Sequence, residues 1–424
     1  MNKYQNALYT GSHDKVTPLP EGKNGILYGA RLYVADVFRY DLVYKRPART
    51  SRGALTTLST FFLRLAQPTS GLAGWGECSP MPILSVDDRP DYSTKLGLLC
   101  QQINDGVPPE TIKQSEFLSE FPSIAFGLEM ALLDLLGGGN QRLFEGNFTD
   151  GRPIPTHGLI WMDSIDGVLA QIEDKLAQGY SVLKMKVGAL PLPQECEILA
   201  AIRHCHPAQE VEIRLDANGA FDEKEALTTL ETLAPYDIAF LEQPIHAGQC
   251  SEMARLCSES PIPIGLDEEL IGISPEKRDQ LLSEVQPQHI VLKPKLLGGF
   301  TACQEWIQAA KKVGCTWWIN SLLESNIGLN AICQWTASLS SDPSENRHLA
   351  SSEETAENTC FQSNLTIDTQ RVHGLGTGQL YQNNIPSPLQ VVNAELVSRP
   401  GGKWDFSEII NPLIDGQNSS VLPS

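Results

Sequence analysis

Three carboxylates recur at almost equal intervals through the middle of the sequence. They are Asp216, Glu242 and Asp267, 26 and 25 residues apart, and Lys293 follows a further 26 residues on. Each ends a short apolar run: VEIRLD, IAFLE, IPIGLD and IVLK. Taken singly, an acid in such a place reads as a helix N-cap or a surface group. Three gathered in a low-dielectric cavity would repel one another and raise each other's pKa unless a cation neutralised them. With oxygen donors only, and no His or Cys among them, the set favours a hard divalent ion, Mg²⁺ or Mn²⁺ in its place. Such an ion would keep about three octahedral positions for water and substrate oxygens.

Lysines accompany the acids. Lys184 and Lys186 flank Met185 in VLKMKV, and a strand's period of two puts both ammonium groups on one face. Lysines in so apolar a strand are costly unless that face opens on a polar cavity; the plain alternative is a pair snorkelling at a strand end. Lys293 comes from the strand after the last acid, across from Lys186. Two lysines on opposite sides of a bound carboxylate substrate could each exchange a proton with one carbon. Burial and neighbouring cations would lower a lysine's pKa towards the range of a general base. A proton α to a carboxylate is very weakly acidic, and a divalent ion on the carboxylate oxygens would stabilise the enediolate left by its removal.

The elements that must position these groups follow from texture. From about residue 154 the runs IPTHGLIWM, SVLKMKV, VEIRLDAN, IAFLEQP, IPIGLDEE, HIVLKPK and TWWINS alternate with helix-like stretches, as buried parallel strands do. A βα unit of a barrel takes roughly 25–35 residues, so the even spacing puts each acid and Lys293 at the same point of successive units, the C-terminal strand end where barrel enzymes place their chemistry. Residues 26–79 instead alternate as an antiparallel meander. Residues 90–138 are helical, with Ser123 capping a helix that Gly137 to Gly139 stop. The expected class is α/β: a TIM-type barrel over residues 151–385 and an α+β capping domain over residues 1–150, completed by 386–424. Residues 339–362 are polar and read as a long loop after the seventh strand, and the last residues, GQNSSVLPS, as frayed.

Composition limits the partners. Among 424 residues, 32 basic and 51 acidic side chains leave a formal charge of −19, which argues against nucleic acid or an anionic membrane as partner. A small-molecule carboxylate is the expected substrate. The start of the chain has no secretory leader pattern and no run approaches the length of a membrane span. Ten cysteines lie scattered without a C-x-x-C pair, as in a reducing compartment; the expected location is cytoplasmic. Nothing in the sequence sets an oligomeric state.

The set K-x-K (Lys184, Lys186), D-A-N (Asp216 to Asn218), L-E-Q-P (Leu241 to Pro244), L-D-E (Leu266 to Glu268) and V-L-K-P (Val291 to Pro294) resembles the muconate-cycloisomerase subgroup of the enolase superfamily. Within it the chain most resembles the o-succinylbenzoate synthases of menaquinone biosynthesis. Supporting stretches are RTSRGALT, GWGECSPMP, INSLLESNIGLNA and HGLGTGQLYQNN, and the likeness spans roughly residues 30–400. It implies a modified (β/α)₇β barrel under the cap, with Mg²⁺ on Asp216, Glu242 and Asp267. Lys186 would be the base and then the acid, and Lys293 the cation on the opposite face. Lys184 would keep Lys186 deprotonated and orient the carboxylate. Arg52 and Gly53 would belong to a substrate-covering loop, Ser321 would lie near the substrate's second carboxylate, and Asn218 and Glu268 would support the site. The implied reaction is syn-dehydration of 2-succinyl-6-hydroxy-2,4-cyclohexadiene-1-carboxylate to o-succinylbenzoate. Glu269 departs from the pattern, adding an acid where relatives commonly carry a small polar residue.

Other readings share parts of this machinery. An N-acylamino-acid racemase or a dipeptide epimerase would use the same lysines and metal, although the last strand region, HGLGTGQL, lacks the Asp-x-Asp of an amino-group-binding epimerase. A Schiff-base aldolase acting through Lys293 is the alternative of another class. GLGTGQ lacks the full dinucleotide-loop pattern, and His204 and His206 read as surface groups.

Overall fold

The structure is a computed structural model of the chain and describes residues 32–50, 53–340 and 371–410. Arg52, most of the polar 339–362 segment and the tail GQNSSVLPS lie outside the described residues.

The described residues open with an antiparallel sheet of β1 (Val34–Thr50), β2 (Gly53–Gln67) and β3 (Leu72–Cys78), in the order β1-β2-β3. Both of its faces are covered, and the alternation of β2 shows how. Leu63 and Leu65, with Phe61 beside them, pack among helices α1 (Tyr92–Asn104), α2 (Pro109–Lys113), α3 (Glu116–Ser119) and α4 (Pro122–Leu136). Leu58 and Phe62, on the other face, pack against Leu323, Tyr381, Ile327 and Ile385 from the far part of the chain. A strand's two-residue period thus serves two cores at once.

Helix α4 lies against β3 at backbone distance, which the glycines there permit. A Cβ at Gly76 would fall 1.9 Å from the Gly127 carbonyl oxygen, so neither chain can accept a side chain without separating. Gly76→Ala is expected to destabilise the protein by about 3 kcal/mol, the upper end of the cost of overpacking, read as a lower denaturant midpoint with an unchanged m value. The start of α4 corrects the expected cap. Ser123 sits within the first turn, Phe121 is the cap residue, and Asp87 accepts both the Ser123 backbone N–H (2.8 Å) and its hydroxyl (2.7 Å).

The run expected as one strand from Ile154 is divided. Ile154–Pro155 (β4) pairs outside the barrel with the late hairpin described below, and Gly158–Ile160 (β5) is the first barrel strand. Helix α5 (Ile165–Ala177) leads to β6 (Val182–Lys186), α6 (Leu192–Cys205) to β7 (Glu212–Asp216), and α7 (Ala226–Leu233) to β8 (Ile238–Glu242). Next come α8 (Cys250–Glu259), β9 (Ile264–Leu266), α9 (Pro275–Val285) and β10 (His289–Leu292). After the single turn α10 (Pro294–Leu297), α11 (Phe300–Lys312) leads to β11 (Thr316–Ile319) and α12 (Asn326–Ser340). Strands β5 to β11 form one seven-stranded sheet in sequence order, every pairing parallel, curled in the manner of a TIM-type barrel.

His373 and Gly374 close the ring. His373 makes a parallel bridge to Thr156 beside β5, and Gly374 one to Asn320 beside β11. Only glycine fits there, because a Cβ at Gly374 would lie 2.3 Å from the Asn320 side-chain oxygen and 2.7 Å from the His157 ring. The hairpin β12 (Leu389–Val392) and β13 (Glu395–Ser398) pairs with β4. Beyond it Phe406 stacks on Trp75 at 4.9 Å, and the Tyr40 hydroxyl donates to Glu408, in the short helix α13 (Ser407–Ile410). Among the described residues no helix is long and apolar enough to cross a membrane, and the nine described cysteines are all free.

Candidate active site

The parallel register brings the separated acids and lysines together. Lys186 pairs with Asp216 and Asp216 with Glu242, so the last residues of β6, β7 and β8 stand side by side, and Asp267 and Lys293 follow directly on β9 and β10. Asp216 and Glu242 are fully buried, and Lys184, Asp267 and Lys293 nearly so. Charges alternate around the ring. The Lys186 Nζ donates to Asp216 Oδ2 (2.6 Å) and Asn218 Oδ1 (2.8 Å). Lys184 Nζ lies 2.8 Å from the same Asp216 oxygen and 2.6 Å from Glu242 Oε2. Lys293 donates to Asp267 and stands 3.6 Å from Glu242 Oε1.

The supporting residues brace this ring. Asn218, with left-handed backbone at φ 47°, donates its N–H to Asp216 Oδ1 (2.9 Å) and its amide to Glu268 Oε1 (3.0 Å). It thereby ties Lys186 to Glu268. Gln243 was not singled out from the sequence, although it stands inside L-E-Q-P. Its Oε1 accepts the N–H groups of Asp267 (3.1 Å) and Glu269 (3.2 Å), and its amide donates to Glu269 Oε2 (3.2 Å). The additional acid Glu269 is therefore turned away from the ring and accepts the Gly248 N–H at 2.9 Å.

Below the ring the barrel is plugged. Arg214, one inward position down β7 from Asp216, lies 4.3 Å from the Trp318 ring centre, and Phe240 stacks on Trp318 at 5.6 Å and 9°. Trp317 faces the other way, stacked on His373. Buried His157 is held neutral by burial and then by the charges of Arg214 and Lys184. This floor keeps water from one side of the ring, which strengthens every charge interaction above it.

Lys184 and Lys293 do not carry the lowered pKa values expected of lysines here. Burial alone would favour neutral Lys293, but Asp267 and Glu242 outweigh it and hold the ammonium above the ordinary lysine value. Asp216 and Glu242 do the same for Lys184. Burial pushes the Asp216 carboxyl up, yet Lys184, Lys186 and Lys293 together hold it well below the usual carboxylate range. Glu242 goes the opposite way: burial, reinforced by the charge of Asp216, raises it to about 8. The expectation omitted the acids as counter-ions to the lysines.

As they stand, no three His, Cys, Asp or Glu side chains among the described residues close a metal cage, because ammonium groups lie between the carboxylates. The donor set nevertheless fits a hard divalent ion. It consists of carboxylate oxygens from three adjacent strand ends, and neither oxygen of Glu242 has a hydrogen bond of good geometry despite complete burial. Among the other expected residues, Gly53 opens β2 and pairs with Thr50. Ser321 lies just past β11, where its hydroxyl donates to the Gly374 carbonyl (2.9 Å) and meets the Thr377 hydroxyl at 2.7 Å.

Residues 167–378, half of the chain, match the family described as enolase C-terminal domain-like, and the strand-end acids and lysines sit within that span. The fold is that of an enolase-superfamily enzyme. The o-succinylbenzoate synthase of Desulfotalea psychrophila (strain LSv54) is 42% identical over 384 residues, covering 83% of this chain and 95% of that protein. The crystal structure of MenC from the same organism superposes with a TM-score of 0.71 at 38% identity, over 86% of this chain and 99% of that one. A substrate-liganded L-Ala-D/L-Glu epimerase from Bacillus subtilis shares the fold at 20% identity, with a TM-score of 0.67 over 87% and 96% of the two chains. The chain belongs to the o-succinylbenzoate synthase family.

Proposed function

We propose that this protein dehydrates 2-succinyl-6-hydroxy-2,4-cyclohexadiene-1-carboxylate to o-succinylbenzoate in menaquinone biosynthesis, with Mg²⁺ on Asp216, Glu242 and Asp267. The observation that carries this reading is the placement of Lys186 and Lys293 on either side of three buried carboxylates, in a chain 42% identical to an o-succinylbenzoate synthase. The ion, when bound, supplies positive charge to the substrate carboxylate oxygens as the α proton leaves.

The chain's own groups do the rest. Lys186, at the outer end of β6, acts as the base in its neutral form. Its Nζ takes the α proton, and the electron pair of the C–H bond passes into the enediolate. The Lys293 ammonium, on the far side, stabilises that charge. The Lys186 ammonium returns its proton to the departing hydroxide on the same face, releasing water as the ring becomes aromatic. Lys184, between Asp216 and Glu242, keeps positive charge beside Lys186 and orients the carboxylate. Ser321 and the segment containing Arg52 and Gly53 would meet the succinyl arm.

The test is turnover of the cyclohexadiene by purified protein, followed as loss of diene absorbance. Dehydration that excess EDTA removes and added Mg²⁺ restores is the expected result. Absence of turnover with Mg²⁺ present would overturn the substrate assignment, and full activity in EDTA would overturn the metal.

A further inference from the structure

Two glutamates of the capping layer end on the barrel. Glu77, fully buried on β3, accepts the Ser325 N–H (3.0 Å), the Ser325 hydroxyl (2.6 Å) and the Gly328 N–H (3.0 Å), and takes Thr60 as a fourth donor. The Ser325 and Gly328 donors lie at the start of α12, and Thr60 lies on β2. Glu129, buried on α4, accepts the Phe300 N–H (2.7 Å), the Thr301 N–H (3.3 Å), the Thr301 hydroxyl and the Lys113 ammonium (2.8 Å). The backbone donors in this second set open α11. A carboxylate at a helix N-terminus satisfies unpaired N–H groups and complements the helix dipole. Here it comes from another layer, 248 residues away in sequence for Glu77–Ser325 and 171 for Glu129–Phe300.

The helices so held come after β10 and β11, the strands just beyond which Lys293 and Ser321 lie. Between Ser321 and α12 the chain takes a costly path: Leu323 has left-handed backbone at φ 62°, a region a leucine rarely adopts. Such a conformation persists only when its surroundings over-determine it. The surroundings come from the cap side: the Leu323 side chain packs with Leu42, Tyr44 and Met81, and its carbonyl accepts the Tyr381 hydroxyl at 2.6 Å. Glu324 accepts the Leu322 N–H at 2.6 Å. None of these partners belongs to the ring of acids and lysines.

We propose that Glu77 and Glu129 are positioning residues, each fixing one strand-end segment of the active site from the cap. Glu77 sets the 320–328 segment and with it Ser321; Glu129 sets the 294–301 segment and with it Lys293. The catalytic part of this inference rests on the reading of Lys293 and Ser321 above.

Hydrogen exchange on the full chain, without substrate, reads the two segments separately. Glutamine keeps the shape of each side chain but turns one acceptor oxygen into a donor facing donors. Glu77→Gln is expected to speed exchange at least about tenfold in peptides covering 320–330 and to leave 293–303 at the wild-type rate; Glu129→Gln is expected to do the reverse. With the cyclohexadiene substrate, Glu77→Gln should raise KM about tenfold with kcat within about threefold, and Glu129→Gln should lower kcat about tenfold with little change in KM. Wild-type exchange in both segments would overturn the proposal. So would faster exchange spread evenly over the molecule, the mark of a merely structural role. Exchange decides the positioning even if the wild-type protein failed to turn over this substrate, a result that would overturn the functional reading alone. If either glutamine variant does not fold, Ser325→Ala and Thr301→Ala remove one donor from each carboxylate and read the same segments.

Discussion

Lys186→Ala lowers kcat for dehydration by about 10⁴-fold or more, because one side chain carries both proton transfers and general acid–base catalysis is worth 10²–10⁴ for a single transfer. No neighbour can take over. Asp216, the carboxylate in contact with Lys186, is held well below the usual range by three ammonium groups and is a poor base. Asn218, its other partner, has no basic atom. The fold should survive the change. Lys186 sits at the outer end of β6 and is the most exposed of the three lysines, and Asp216 keeps Lys184 at 2.8 Å. The measurement is turnover by diene absorbance, with circular dichroism to show an unchanged fold. Dehydration at near wild-type rate in this variant would remove Lys186 from the mechanism.

Lys293→Ala is expected to cost about 10²–10³ in kcat, the scale set by loss of one group aimed at developing negative charge. The loss is smaller than for Lys186 because syn elimination needs a proton carrier on one face only. A second effect has the opposite sign. Lys293 contacts Asp267 and stands 3.6 Å from Glu242, so it competes with any cation for those two carboxylates. Removing it should tighten Mg²⁺ binding while turnover falls. Titration calorimetry on the variant and the wild type reads the first effect, and steady-state assay the second. A variant that bound Mg²⁺ more weakly and turned over normally would contradict both arguments. A variant protein that borohydride still trapped with substrate would exclude Lys293 as a Schiff-base lysine.

The barrel and its charged ring were legible in the sequence for one reason. A βα unit repeats with a nearly constant length, so groups at one level of successive strands recur at a constant interval, as Asp216, Glu242, Asp267 and Lys293 do. What depended on distant partners was not legible. Ser123 looks like a helix cap because the local pattern is right, but Asp87, 36 residues earlier, takes its N–H and hydroxyl. Ile154 and Leu159 belong to one apolar run, but the antiparallel pairing of Leu396 with Ile154 draws off its first residues. Glu77 sits in a motif noted for its resemblance alone, and nothing local says that its acceptors serve a helix starting at Asn326. The direction of the Lys184 and Lys293 shifts was not legible for a related reason: it depends on which charge lies nearest, and spacing in sequence does not rank those distances.

The ring is sealed by two residues, His373 and Gly374, set between Thr156 and Asn320. The first barrel strand therefore meets its last neighbour across more than half of the polypeptide, and β4 waits still longer for β13. During synthesis from the N-terminus, strands β5 to β10 can add one after another, each beside the strand made before it. The cylinder cannot shut until the chain has been made past Gly374. Up to that moment the strand carrying Lys186 belongs to an open sheet with two unsatisfied edges, which are templates for pairing with other chains. The nascent enzyme is thus at its most vulnerable to aggregation late in its manufacture, when all of its acids and both of its opposed lysines already exist.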